Sequence, residues 1–281
     1  MMVRKIDKDM ISCFETYLKS EEKSRNTQEK YIRDVCKFMH YLSDHELTKD
    51  KVIAYKKYLM EMNYAYTSIN SMLASLNSFL KYLGWMDCCV RNLKVQRKIY
   101  APEQKLLRKQ DVQKLIHEAE KKKDRRLSLL IQTLCSTGIR ISELEHLTCE
   151  SLCEAEFTVS CKGKVRTVLI TKKLQRKLLH YAQQNQIEEG PIFLTNHGKP
   201  INRTHVWRQL KNLYSKAQIN SDKVFPHNFR HLFARTFYEL DKDIAKLADV
   251  LGHSSINTTR IYIMTSSTCH RNMLEQMALI L

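Results

Sequence analysis

Phe157-Thr158-Val159-Ser160-Cys161-Lys162-Gly163-Lys164-Val165-Arg166-Thr167-Val168-Leu169-Ile170 decides the fold class, because it is the one convincing β signal in the chain. Two runs rich in β-branched residues, 157–161 and 165–170, flank Lys162-Gly163-Lys164. Glycine there suits a tight reversal, so the stretch reads as a short hairpin. Working outward, apolar residues recur at helical spacing. Upstream, helices are expected over Lys109–Glu120 and Arg125–Thr137. Ser136-Thr137-Gly138 breaks the second, and another starts at Ile139. Downstream, helices are expected over Lys172–Gln184, Arg203–Ala217, His227–Glu239 and Asp243–Leu251, with a last segment near the C-terminus. Only 6 Gly and 4 Pro interrupt 281 residues, so helix should dominate.

The first ninety residues carry four apolar stripes. Met10, Ile11, Phe14 and Leu18 form one. Tyr31, Val35, Phe38 and Leu42 form a second behind Asn26-Thr27, which are good N-cap types. Val52, Tyr55, Leu59 and Met62 follow Thr48; Ile69, Leu73, Leu76, Leu80 and Leu83 end at Gly84. This describes a four-helix bundle over 1–90. Residues 91–104, Arg91-Asn92-Leu93-Lys94-Val95-Gln96-Arg97-Lys98-Ile99-Tyr100-Ala101-Pro102 and onward, lack a clean period and are strongly basic. They read as an interdomain linker whose Lys94, Arg97 and Lys98 contact a phosphate backbone. A second domain then occupies 105–281, with a tail over 264–281. The predicted class is mainly α with one small β-hairpin.

Composition narrows the partners. Lys and Arg number 47 against 30 Asp and Glu, a formal charge of +17, which favours a polyanion such as nucleic acid. No apolar run is long enough to span a membrane, and no amphipathic basic anchor is evident. Met1 to Asp9 turns charged at once, without an apolar signal core, so a cytoplasmic protein is expected. The nine cysteines include no C-x-x-C pair. They read as free thiols, several packed in the core, with no zinc site.

Four stretches of the second domain carry chemistry. In Thr137-Gly138-Ile139-Arg140-Ile141-Ser142-Glu143-Leu144, Arg140 follows a Gly break and offers a planar fork of donors suited to phosphate oxygens. Glu143, three residues on, is placed to hold it. Lys162, in the hairpin turn, can donate a proton to a leaving alkoxide. In Pro226-His227-Asn228-Phe229-Arg230-His231, Pro226 starts a helix whose first turn presents His227 and Arg230 on one side. His231 is assigned to a different side and a structural role. In Leu251-Gly252-His253-Ser254-Ser255-Ile256-Asn257-Thr258-Thr259-Arg260-Ile261-Tyr262, Gly252 ends a helix, His253 follows at a constrained turn, and Tyr262 comes nine residues later. Composition alone does not single out this tyrosine among 13.

The ordered set T-G-I-R-I-S-E-L, K-G-K, H-N-F-R-H, L-G-H and I-Y resembles the signature of the tyrosine recombinases, the phage integrase family. Within it the chain looks like the small Xer-like or mobile-element members, since nothing ahead of the bundle leaves room for an arm-binding domain. The resemblance covers roughly 105–281 and, more loosely, the N-terminal bundle, which is similar to the family's SAM-like core-binding domain. It implies that Tyr262 is the nucleophile, forming a 3′-phosphotyrosyl bond with DNA. It implies that Arg140 and Arg230 bind the scissile phosphate, with His253 hydrogen-bonding it. Lys162 would protonate the leaving 5′ oxygen, His227 would assist proton transfer at the tyrosine, and Glu143 would support the scaffold. Lys164 lies close enough to Lys162 to share the assignment, and Lys164, Arg166 and Arg260 are expected to touch DNA. Phe229 stands where the family usually has Leu.

The resemblance further implies a homotetramer on two double-stranded recombination sites, monomeric when free, exchanging strands through a Holliday junction for integration, excision or resolution. An accessory DNA-bending or directionality factor is a further expected partner, no cofactor or metal is expected, and a bacterial or mobile-element origin with a nucleoid location is implied. The apolar tail residues Met273, Leu274, Met277, Leu279, Ile280 and Leu281 are expected to dock on a neighbouring protomer. Two alternatives share the scaffold: a non-catalytic DNA-binding regulator, and an enzyme like the type IB topoisomerases. Tyr262 and Lys162 argue against the first; the small bundle and apolar tail argue against the second.

Overall fold

The computed structural model describes residues 4–43, 46–95, 102–161 and 164–276. The chain divides into two compact units, Met1–Arg97 and Lys98–Leu281. The first holds α1 (Lys8–Ser20), α2 (Arg25–Leu42), α3 (Lys49–Glu61) and α4 (Tyr66–Tyr82). Each apolar stripe turns inward: Phe14, Leu18, Val35, Phe38, Val52, Leu59, Ile69, Leu73 and Leu80 are fully buried. Asp7 caps α1 by accepting from Met10 N–H at 2.7 Å, and Thr48 caps α3 from Lys51 N–H at 3.3 Å. A cap of this kind contributes about 1 kcal/mol. Two details differ from the sequence reading. The α2 cap is Ser24 rather than Asn26-Thr27, its hydroxyl 2.9 Å from that of Thr27. Met62 lies just past the end of α3 and is 54% exposed, because the helix stops before that position turns inward.

The second unit contains α5 (Lys109–Lys121), α6 (Arg125–Thr137), a 3₁₀ turn (Ile141–His146), α7 (Cys149–Glu154), β1 (Glu156–Cys161), β2 (Lys164–Leu169), α8 (Lys172–Gln184), α9 (Arg203–Tyr214), α10 (Pro226–Asp241), α11 (Ile244–Leu251), α12 (Ile256–Tyr262) and α13 (Ser267–Gln276). The helix expected after Gly138 is the 3₁₀ turn, because Arg140 stays extended at φ −78°, ψ 153° and Glu143 closes the turn back onto it. The expected helix to Ala217 ends at Tyr214. The strands pair antiparallel, Glu156 opposite Leu169 and Cys161 opposite Lys164, so two residues rather than three lie between them. Ile170 leaves the ladder and donates its N–H to Ala155 O at 2.7 Å.

One core joins α5, α6, the hairpin, α8, α9 and α10 through Leu115, Leu130, Leu134, Leu144, Val159, Val168, Leu178, Phe193, Leu210 and Phe229. A smaller cluster of Ala234, Leu247, Leu251 and Tyr262 packs α10, α11 and α12. Gly138 ends α6 at φ +64°, and a side chain there would meet the Phe233 ring at 2.4 Å. Glycine is thus required both by backbone and by space. Eight cysteines among those with described side chains are unpaired; Cys88 is buried, and Cys36, Cys89, Cys135 and Cys149 are partly buried and packed against the cores, in line with the expectation of several core thiols. Among the described residues no helix is long and apolar enough to cross a membrane.

Candidate active site

Four segments converge on Tyr262. The residue ends α12, 6% exposed, and its Oη stands 2.8 Å from His227 Nε2 on the first turn of α10. Burial, then the charges of Arg230, Arg140 and Arg203, lower the His227 pKa below its ordinary value. His227 is therefore neutral at pH 7, and its ring nitrogen can accept the phenol proton. The His231 ring stacks on Tyr262 at 4.5 Å and 24°, and meets His227 edge-on at 5.2 Å. His253 faces the same ring at 4.8 Å, and the Arg230 guanidinium carbon lies 5.6 Å from its centroid.

Arg230 is 1% exposed, on the inward side of α10. Its Nη1 donates to Gly138 O at 2.5 Å and its Nη2 to Leu251 O at 2.6 Å. The first is the carbonyl of the cap just past α6 and the second is the last carbonyl of α11, helix ends where the dipole favours a cation. Nη2 also lies 3.1 Å from His253 Nε2, while Nε is buried without a partner. Burial and the neighbouring Arg140 lower this guanidinium to about 10, still cationic at neutral pH. His253 Nδ1 lies 3.0 Å from the buried Thr259 hydroxyl. Burial, followed by Arg230 and Arg140, holds His253 at about 4; burial and then His227 hold His231 at about 4.

Arg140 approaches from the 3₁₀ turn. Its Nη1 donates to Glu143 Oε1 at 2.8 Å and its backbone N–H to Glu143 Oε2 at 2.7 Å. Glu143 also accepts from Arg166 Nη2 at 2.7 Å. Burial alone would raise the Glu143 pKa; the Arg140 N–H bond and the Arg166 and Arg140 charges outweigh it, so the carboxyl is held below its usual range. A cleft of about 220 Å³ is lined by Arg140, Val159, Val165, Arg166, Asp249, Gly252 and His253. It is a cationic recess beside a buried phenol, which suits an anionic oxygen cluster such as a phosphate diester.

Arg140, Glu143, His227, Arg230, His253 and Tyr262 are thus brought together as the sequence order suggested. Lys162, Arg97 and Lys98 lie outside the described residues, and Lys164 is placed only by its backbone in β2. Lys94 and Arg260 are exposed. Arg166 is 10% exposed and paired with Glu143, with part of its side chain on the cleft wall. The assignment of His231 to another side is corrected too. A spacing of four on a helix returns to nearly the same side, which places His231 beside His227 and under Tyr262. The spacing itself carried that signal. Thr259 carried none, since its contact depends on how α12 folds back over the α11 terminus.

The phage integrase family model matches residues 105–268, and the phage integrase N-terminal SAM-like domain matches 11–86. Tyrosine recombinase XerA of Pyrococcus furiosus is 30% identical over 271 residues, covering 93% of this chain and 91% of that protein. A crystal structure of the XerH site-specific recombinase bound to a palindromic difH substrate superposes with a TM-score of 0.72 at 18% identity, covering 90% of this chain and 79% of that one. A lambda integrase tetramer bound to a Holliday junction gives 0.72 at 15% identity, covering 90% and 76%. With a family model spanning more than half of the chain and a full-length relative at that identity, the protein belongs to the phage integrase family of tyrosine recombinases, and is a site-specific DNA strand transferase.

Proposed function

We propose that Tyr262 attacks a DNA phosphodiester, forming a 3′-phosphotyrosyl bond and releasing a 5′-hydroxyl. The carrying observation is the 2.8 Å contact between Tyr262 Oη and the Nε2 of a neutral His227. Phenols ionise near pH 10, so proton removal at the moment of attack is what this histidine supplies. Arg140 and Arg230 neutralise the non-bridging oxygens, with His253 as a further donor. The buried, unpartnered Nε of Arg230 supports this, since an anion in the cleft would offer the acceptor it lacks. Lys162 protonates the leaving oxygen, on the strength of its K-G position between β1 and β2. Glu143 orients Arg140.

The N-terminal bundle, 1–90, binds the duplex. The linker, 91–104, follows the backbone through Lys94, Arg97 and Lys98, with Lys164 and Arg260 adding contacts from the second unit. By analogy with the lambda integrase tetramer, four copies join two sites and exchange strands through a Holliday junction, with the 264–281 tail reaching a neighbour and an accessory DNA-bending or directionality factor setting the outcome. Leu274, 66% exposed on α13, supports the tail assignment. The free thiols fit a reducing, cytoplasmic setting on bacterial or mobile-element DNA.

The test uses a nicked suicide duplex whose site is selected from a randomised pool by adduct capture. Wild type forms a denaturant-resistant protein–DNA adduct, and Tyr262→Phe forms none while binding equally well. An adduct with the Phe variant overturns the assignment. Supercoil relaxation without recombinants on a two-site plasmid would point instead to topoisomerase-like action.

A further inference from the structure

Arg166 has no place in the chemistry proposed above, yet it is among the most constrained side chains of the second unit. From β2, opposite Val159, it turns inward. Its Nη2 donates to Glu143 Oε2 at 2.7 Å, and its Nη1 donates to Val250 O at 2.9 Å. Its stem lies against Gly252, where an added Cβ would stand 2.4 Å from Arg166 Cδ. One guanidinium thus spans three elements: the hairpin, the 3₁₀ turn that carries Arg140 and Glu143, and the end of α11 that leads into His253.

Charge and valence say what this does. Arg140 and Glu143 alone form a neutral pair, which would leave that side of the cleft with little attraction for a phosphate. With Asp249 on the same wall, Arg166 offsets carboxylate charge that would otherwise oppose a phosphate. It also shares Glu143 Oε2 with the Arg140 backbone N–H, so the Arg140 guanidinium is held through Nη1 alone, at 2.8 Å on Oε1. Without Arg166, Oε2 would keep only the Arg140 backbone N–H and could accept a second guanidinium N–H in the two-pronged pairing that arginine prefers, drawing the guanidinium away from the cleft. Arg140 keeps a 30% exposed side chain on the cleft wall, whereas Glu143 is 4% and Arg166 10% exposed.

We propose that Arg166 is a positioning residue for DNA cleavage: by engaging Glu143 and the carbonyl ahead of Gly252, it holds Arg140 poised for the scissile phosphate. The inference rests on the reading of Arg140 as a phosphate ligand.

The test measures single-turnover adduct formation by the full chain on the selected suicide duplex, with an ordinary scissile phosphate and with an uncharged methylphosphonate in its place. The variants are Arg166→Met, which keeps the packing on Gly252, Arg166→Lys, which keeps the charge but not the fork, Arg140→Ala, and Arg140→Ala with Arg166→Met. On the ordinary phosphate, Arg166→Met is expected to cleave about 10–100-fold more slowly, the scale of a misplaced catalytic contact. Arg166→Lys falls between it and wild type, DNA affinity changes little, and melting temperature falls, since a buried carboxylate and a buried carbonyl lose a partner. The double variant matches Arg140→Ala within about twofold, because Arg166 acts through Arg140. On the methylphosphonate, where no anionic oxygen pair needs neutralising, the Arg166→Met deficit shrinks together with that of Arg140→Ala. Additive losses in the double variant, or an Arg166→Met deficit that persists on the methylphosphonate while that of Arg140→Ala shrinks, overturn the proposal. If Arg166→Met does not fold, the same comparison with Arg166→Lys decides. Unimpaired cleavage by Arg140→Ala would instead remove the phosphate-ligand reading, and this inference with it.

Discussion

The two units bury different things. In the N-terminal unit the described buried polar side chains are Asp34 and Ser75, closed on each other at 2.8 Å, with Lys30 at 2.6 Å from the aspartate. The rest is mainly aliphatic and aromatic, with Phe14 edge-on to Phe79 at 5.1 Å and Phe38 edge-on to Tyr55 at 4.9 Å, the Tyr55 hydroxyl being buried without a partner. The second unit buries Ser128, Thr133, Thr137, Glu143, Asn228, Arg230, Thr259 and Ser266. Asn228 alone ties the start of α10 to Lys105 O and Lys223 O at 2.8 and 2.7 Å. Apolar burial drives folding without needing direction, whereas each buried polar group costs stability unless its partners are in place. The second unit accepts that cost where it holds charges around Tyr262. Interaction energy that is spent on geometry there is spent on cohesion in the first unit.

The sharpest way to break this contrast is Arg230→Lys. It keeps a cation but cannot reach Gly138 O, Leu251 O and a phosphate together. Single-turnover adduct formation should fall by about 10³-fold, while DNA affinity in a gel-shift titration stays near wild type. A loss confined to affinity would mean that the buried network serves binding rather than chemistry.

A smaller effect is expected from Ile69→Val, a fully buried position on α4. Denaturant unfolding should show about 1 kcal/mol less stability, with adduct formation per bound complex unchanged. A slowed chemical step would show that the two units are not separate in what they contribute.

A third test sharpens the contrast through pH. His231 and His253 are held at about 4 in the folded protein, first by burial, against about 6.5 in an unfolded chain. The unfolded state therefore binds more protons, and the stability from these neutral imidazoles, present above pH 6.5, is lost as pH falls toward 4. Melting temperatures recorded from pH 7.5 to 5 should decline, and His231→Phe should flatten part of that decline. An identical slope in the variant would mean that His231 does not take part.

Much of this protein was legible along the chain. Helix periodicity placed the bundle, and α6 and α8 fell on the expected residues, because Asp124 and Thr171 supply caps and Gly138 supplies a left-handed stop. The candidate site was legible as an ordered set of residue types, T-G-I-R through I-Y. Less legible was the 3₁₀ turn after Gly138, whose short apolar pattern suits a longer helix equally well.

What the sequence determined by itself was local: which residues face inward on a helix, where turns fall, and which arginines, histidines and tyrosine carry chemical potential. Contacts within one or two turns, such as Arg140 with Glu143, follow from that spacing. Only the tertiary structure decided that Arg166 reaches Glu143 across 23 residues and Val250 across 84, that Arg230 closes on Gly138 O across 92, and that His227 meets Tyr262 across 35. It also decided protonation, since an imidazole's affinity for a proton depends on the burial and charge that distant segments bring to it. The reason is physical: hydrophobic periodicity is read at short range, but a charge acquires its role from whatever the whole chain packs around it.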